Sequence, residues 1–259
     1  MNDFENWFPF NKFGEAGKDA VMIFCFHHAG GSAAVYRKWQ LQSDYNTVFV
    51  PVELPGKGCR MGEKYIYDMT KLSELAAEAV DRFADGRRIV FYGHSMGAAV
   101  AFRTAYEMEK RNMNSPEILI VSGRHSPCVH LPDRFNTSMD DDALINELTI
   151  MGGTPENVLK NRELMKYLIP HIRNDYKLNE SFNYNGEMIS VPVYAYAGTL
   201  DHDAAFNMLD DWNNVTTAYL KKREFEGNHF FLFNLGSQYV TMLKKRINAA
   251  LENKAGQSA

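Results

Sequence analysis

Ile89-Val90-Phe91-Tyr92-Gly93-His94-Ser95-Met96-Gly97-Ala98-Ala99 joins two kinds of local structure back to back. The first four residues are apolar, β-branched or aromatic, the composition of a short strand buried on both faces. From Ala98 onward, small residues open a helical pattern. A chain that passes from strand to helix this abruptly has no room for side chains at the corner, and Gly93 and Gly97 flank it. The middle one of the three residues between them is forced into a strained backbone conformation that pushes its side chain outward. Ser95 is therefore expected to present a nucleophilic hydroxyl at the carboxyl end of a strand.

Outward from that corner, five more apolar runs read as strands, at residues 21–26, 47–52, 118–121, 191–197 and 219–225, with 89–92 making the sixth. Helical spacing follows most of them. Leu72, Leu75, Ala76, Ala79, Val80 and Phe83 fall on one helical face. Strands alternating with helices predict a mostly parallel central sheet with helices on both faces. Together with the G-x-S-x-G corner, this is the pattern of an α/β-hydrolase fold. About seventy residues separate the fourth and fifth runs, too many for one βα connection. Asp140, Asp141 and Asp142 open one helix there, and a second runs over 162–176, interrupted by Pro170. Residues 128–188 are thus expected to form a helical lid inserted into a single domain spanning 1–259, over the strand ends where open α/β sheets bind ligands.

A serine hydroxyl needs a base, and the base needs a carboxylate to orient it. In this fold the chain order is Ser, then acid, then His. The run 191–197 leads into Gly198-Thr199-Leu200-Asp201, which makes Asp201 the expected acid, with Asp203 on the same loop as the alternative. Of eight histidines, only His202 and His229 follow, and His202 adjoins the acid too closely to turn back onto it. His229, in Gly227-Asn228-His229-Phe230-Phe231 after the last strand, is the expected base. The oxyanion donors are expected to be the backbone N–H of Met96 and that of Ala29, in the glycine-rich loop His27-His28-Ala29-Gly30-Gly31-Ser32. Read without catalysis, the same loop is a flexible turn. The pair His27-His28 lacks the further ligands of a metal site, so neither metal nor cofactor is expected.

Composition sets the bounds. A chain of 259 residues with 45% hydrophobic content can bury one sizeable core, and a net charge of −4 argues against nucleic acid or an anionic membrane as partner. Three scattered cysteines fit no disulfide framework, and acidic residues among the first twenty are the opposite of a secretory leader. A cytoplasmic protein acting as a monomer is the expectation.

The chain resembles the type II thioesterases that act in trans on non-ribosomal peptide and polyketide assembly lines. Matching segments run from Phe24 to Leu235. They include 26–32, Leu54-Pro55-Gly56-Lys57-Gly58-Cys59-Arg60, Gly93-His94-Ser95-Met96-Gly97, Gly152-Gly153-Thr154-Pro155, Leu168-Ile169-Pro170 with Arg173 and Asp175-Tyr176, Gly198 with Asp201, and 227–231. The resemblance implies an α/β-hydrolase with a mobile helical lid that hydrolyses acyl thioesters on the phosphopantetheine arm of acyl or peptidyl carrier proteins, with catalytic roles on Ser95, Asp201 and His229. The chain departs from the family in having His27 where proline is usual and Lys57 where arginine is usual. Lys57 and Arg60 read equally as docking charges for an acidic carrier or as an ordinary solvated loop. A fatty-acyl chain-terminating thioesterase would share these motifs, a carboxylesterase would prefer small oxygen esters, and a catalytically dead docking module would take no active-site label.

Overall fold

All six apolar runs become strands within two residues of the expected limits in the computed structural model, which describes residues 5–11, 16–129 and 136–257. In chain order the elements are β1 (Val21–Phe26), α1 (Arg37–Gln40), β2 (Thr47–Pro51), α2 (Met69–Ala84), β3 (Ile89–His94), α3 (Met96–Lys110), β4 (Leu119–Ser122), α4 (Asp141–Met151), α5 (Glu156–Leu159), α6 (Arg162–Glu180), β5 (Val193–Gly198), β6 (Leu220–Phe225), α7 (Phe231–Asn234) and α8 (Gly236–Gln257). The strands form one sheet in the order β2-β1-β3-β4-β5-β6, and every neighbouring pair is parallel.

Strands β1 to β5 are buried along their whole length because helices cover both faces. One apolar layer joins Phe24, Phe91, Val121 and Ala195 to α2 and α3. The other joins Ile23, Val90, Ile120 and Tyr194 to α8. The chain leaves β1 toward β2 and returns on its other side to β3, so the order reverses between β1 and β3, with Phe26 paired to Gly93. The carboxyl ends of those two strands meet where such sheets open a binding crevice.

Between β4 and β5 the chain builds α4, α5 and α6, with residues 130–135 of the expected 128–188 insertion lying outside the described residues. Asp140 caps α4 by accepting from Ala143 N at 2.8 Å, and Asn161 caps α6 by accepting from Leu164 N at 3.1 Å. The insertion has its own apolar cluster of Leu144, Leu159, Met165, Ile169, Ile172 and Tyr176, against which Ala29 also packs. Pro170 does not interrupt α6, which continues to Glu180. Proline removes one intrahelical donor, and here both Pro170 and Lys166, whose carbonyl loses that donor, are solvent-exposed, so water can replace the bond. Among the described residues no helix is long and apolar enough to cross a membrane.

Candidate active site

Ser95 takes φ 55° and ψ −120°, a conformation that a non-glycine residue adopts only under constraint. The constraint is backbone pressed on backbone. A Cβ at Gly93 would lie 2.3 Å from the Gly97 carbonyl oxygen, and one at Gly97 would lie 2.1 Å from that of Phe26. The Ser95 amide donates to the Ser122 carbonyl of β4 at 2.8 Å, which ties the corner to the next strand. Met96 is the first residue of α3, so its N–H precedes the helix's own hydrogen-bond ladder and lies at the positive end of the helix dipole.

The loops after β5 and β6 are stitched together. Thr199 N donates to Phe225 O at 2.8 Å and Leu200 N to Gly227 O at 2.9 Å. Gly198 permits this approach, since a Cβ there would lie 2.4 Å from the Asn228 carbonyl oxygen. The stitching brings the two predicted side chains into contact: His229 Nδ1 donates to Asp201 Oδ2 at 2.8 Å, with both residues buried. Asp201 Oδ1 accepts from the amides of Asp203 (3.2 Å) and Ala204 (3.3 Å), so the carboxylate is fixed at both oxygens. His202 is exposed. On the far side of the ring, His229 Nε2 is buried with no hydrogen-bond partner among the described residues. It therefore does not close a hydrogen bond to Ser95 Oγ in this arrangement, a bond that often tightens only once substrate is bound. The His229 ring packs 4.8 Å from that of His94, the neighbour of Ser95, and its Cε1 lies 3.1 Å from where a Cβ at Gly123 would be.

The loop after β1 is held by its own histidines. His27 Nδ1 donates to the His28 carbonyl and His28 Nδ1 to the Ala29 carbonyl, each at 2.9 Å. Burial drives the His27 imidazole pKa down to about 3 and that of His28 to about 4, outweighing these hydrogen bonds. His94 is likewise held well below the ordinary histidine value, first by burial and then by the charges of His229 and His28. All three pack as neutral rings, with His28 against Phe230 at 4.9 Å. Among the described residues no cluster of histidine, cysteine and carboxylate groups could hold a metal.

Lys57 and Arg60 overturn both expectations for them, because each is buried. Lys57 Nζ pairs with Asp175 Oδ2 of α6 at 2.5 Å and donates to the His171 carbonyl at 3.3 Å. The Arg60 guanidinium donates to both oxygens of Glu63 (2.9 and 2.7 Å) and to the Glu53 carbonyl (3.0 Å), and lies over the Trp7 ring. Neither is left to meet a carrier protein, and neither is a solvated loop charge. Glu53, whose carboxyl burial pushes upward, accepts from Ala33 N at 3.0 Å. Sequence reasoning missed Glu53 and the placement of Asp175; for the latter the only hint was its recurrence beside Tyr176 in the family motif. The insertion also touches the loop that carries His229, where a Cβ at Gly153 would lie 2.1 Å from the Phe230 ring.

A parallel sheet with a strained serine corner at its switch point, and a histidine–carboxylate pair on the loops after its last two strands, defines an α/β-hydrolase. The model of the thioesterase domain family matches residues 22–251, and the chain belongs to that family, whose members hydrolyse thioesters. It is 34% identical over 222 residues to thioesterase PikA5 of Streptomyces venezuelae, covering 85% of this chain and 79% of that one. It is 28% identical over 255 residues to the gramicidin S biosynthesis protein GrsT of Aneurinibacillus migulanus, covering 98% of each. The solved structure of the type II thioesterase BorB from the borrelidin biosynthetic cluster superimposes with a TM-score of 0.81 at 27% identity, covering 93% of this chain and 97% of that one.

Proposed function

We propose that this protein frees acyl or aminoacyl groups held as thioesters on the phosphopantetheine arm of acyl or peptidyl carrier proteins. It would act in trans, as an editing or release enzyme of non-ribosomal peptide or polyketide synthesis. The observation that carries the reading is the His229–Asp201 hydrogen bond of 2.8 Å beside the serine corner, which leaves Nε2 of a correctly tautomerised imidazole as the basic atom. In this mechanism Ser95 Oγ attacks the thioester carbonyl and His229 Nε2 takes its proton. The N–H groups of Met96 and Ala29 hold the developing oxyanion. The pantetheine sulfur leaves with the proton from His229, and water, deprotonated by the same nitrogen, then cleaves the acyl-Ser95 ester. A thiol leaves readily, so the site favours thioesters over amides.

Residues 128–188 serve as the lid in this reading. The protein works as a cytoplasmic monomer with no metal or cofactor, and nucleic acid and membrane have no part in the reaction. Time-resolved mass spectrometry of a panel of acyl- and aminoacyl-carrier proteins tests it. The expected result is release from several carriers by the wild type and none above background by Ser95→Ala. Release by Ser95→Ala at the wild-type rate would refute the mechanism. Turnover of free oxygen esters far above any carrier-bound substrate would replace the reading with that of a carboxylesterase, and confinement to long fatty acyl chains with that of a chain-terminating enzyme.

A further inference from the structure

Two peptide groups flank Ala29, and almost every polar end of both is already engaged. In the peptide between His28 and Ala29, the carbonyl accepts from His27 Nδ1 (2.9 Å) and from Gly31 N (3.0 Å). In the peptide between Ala29 and Gly30, the carbonyl accepts from His28 Nδ1 (2.9 Å) and the N–H donates to Asp175 Oδ2 (2.6 Å). The remaining end is the Ala29 N–H, which has no hydrogen-bond partner among the described residues. Three of the four anchors come from residues 27–31 themselves. The fourth comes from α6, 145 residues away in the chain.

That fourth anchor falls where the loop is least able to hold itself. Gly30 has φ +78°, and a glycine with no external restraint exchanges such a conformation for others more freely than any other residue. The Asp175 carboxylate that restrains it is 3% exposed and receives Lys57 Nζ at the same oxygen, so its direction is fixed by a third segment of chain. Ile172, one helical turn before Asp175, fills the space in which a Cβ at Gly30 would meet its Cγ1 at 3.2 Å.

We infer that Asp175 is a positioning residue for the hydrolysis: by holding the Gly30 amide, with Lys57 fixing the carboxylate, it aims the Ala29 N–H at the oxygen that becomes negative in acyl transfer. The inference rests on the Ser95 mechanism proposed above. It makes seating of α6 and completion of the oxyanion site one event.

The test compares two double variants that both discard the buried ion pair, Lys57→Met/Asp175→Asn and Lys57→Met/Asp175→Leu. The asparagine variant keeps an oxygen facing Gly30, whereas the leucine variant offers a side chain of similar size with no acceptor. The expected result is a kcat for the leucine variant about ten- to a hundredfold below that of the asparagine variant, less than the loss on removing an oxyanion donor outright. KM should differ little between them, and affinity for a trifluoromethyl ketone, which binds as a tetrahedral oxyanion, should fall in step with kcat/KM. Equal kcat in the two variants, or a difference confined to KM, would overturn the inference. In the wild type, independently of any variant, the Gly30 amide should exchange slowly with deuterium although the residue is exposed, and free exchange would remove the contact on which the inference stands. Ser95→Ala in the same assay separates the two failures: retained activity there condemns the serine mechanism on which the inference rests, whereas an inactive Ser95→Ala beside double variants of equal kcat condemns the role of Asp175 alone.

Discussion

Ser95 sits where β1, β3 and α3 press main chain against main chain, so closely that a Cβ at Gly93 or Gly97 would come within 2.3 or 2.1 Å of a carbonyl oxygen. Asp175 sits on a helix that shares a satellite cluster of six buried side chains and sends only Leu178 into the main core. The serine corner is held on all sides by the main core, through contacts that cannot be loosened without unfolding the sheet. The inserted helices have a thin core of their own and meet the domain through Leu178, which is buried in the main core, and through polar contacts: Lys57 to Asp175, Tyr67 to Asn174 (3.0 Å), Arg124 to Asn179 (2.8 Å) and the Met69 amide to Ser181 (2.9 Å). Polar contacts of this kind exchange with water at small net cost. The first region suits a group that has to stay fixed through every turnover, and the second suits a cover that opens.

Activity breaks the comparison most severely on the rigid side. Ser95→Ala is expected to lower turnover of an acyl-carrier substrate by about a millionfold, read by mass spectrometry. Ser95→Gly should be equally inactive yet gain about 1 kcal/mol in urea unfolding, because glycine accepts the positive φ. Next comes Asp201→Asn, expected to cost about 10⁴ in kcat by freeing the wrong tautomer of His229, whereas Asp203→Asn should stay within a few-fold of wild type.

Stability separates the two regions by a different measure. Phe24→Ala, in the main core, should lower the global unfolding free energy by about 3–5 kcal/mol. Leu144→Ala, in the satellite cluster, should instead show itself as faster hydrogen exchange confined to α4, α5 and α6, with a smaller loss in global stability. Equal global losses would mean that the insertion and the sheet unfold as one unit. The histidine loop adds a pH dependence. His27 and His28 have folded pKa values of about 3 and about 4, below the unfolded value near 6.5, so below pH 6.5 the unfolded chain binds more protons than the folded one. Their contribution is complete above pH 6.5 and is lost as pH falls toward 4, by up to about 1.4 kcal/mol per pH unit for each. Urea midpoints over that range should fall, and His28→Phe should flatten the slope by one histidine's share.

The rigid region was the legible one. Its strands are continuous apolar runs and its corner is spelled by residues adjacent in sequence, so local chemistry was enough to place Ser95 and to order the loops that bring Asp201 to His229. What was illegible is non-local. Lys57 reads as a loop charge until the fold brings Asp175 to it from 118 residues away. Pro170 reads as a break because its lost hydrogen bond is a local fact, while the solvent exposure that makes the loss tolerable is a tertiary one. The adjacent pair His27-His28 gives no sign in the sequence that each ring will bond a carbonyl of its own loop.

Gly153 carries a consequence for anyone who sets out to vary the insertion of this protein. Its bare α-carbon lies where the Phe230 ring leaves no room for a methyl group, so positions 153 and 230 form a single unit of variation. A library that randomises position 153 alone will return mostly damaged clones. Pairing Gly153→Ala with Phe230→Leu trades ring volume for methyl volume, and so reshapes the roof beside the histidine without disturbing the corner beneath it.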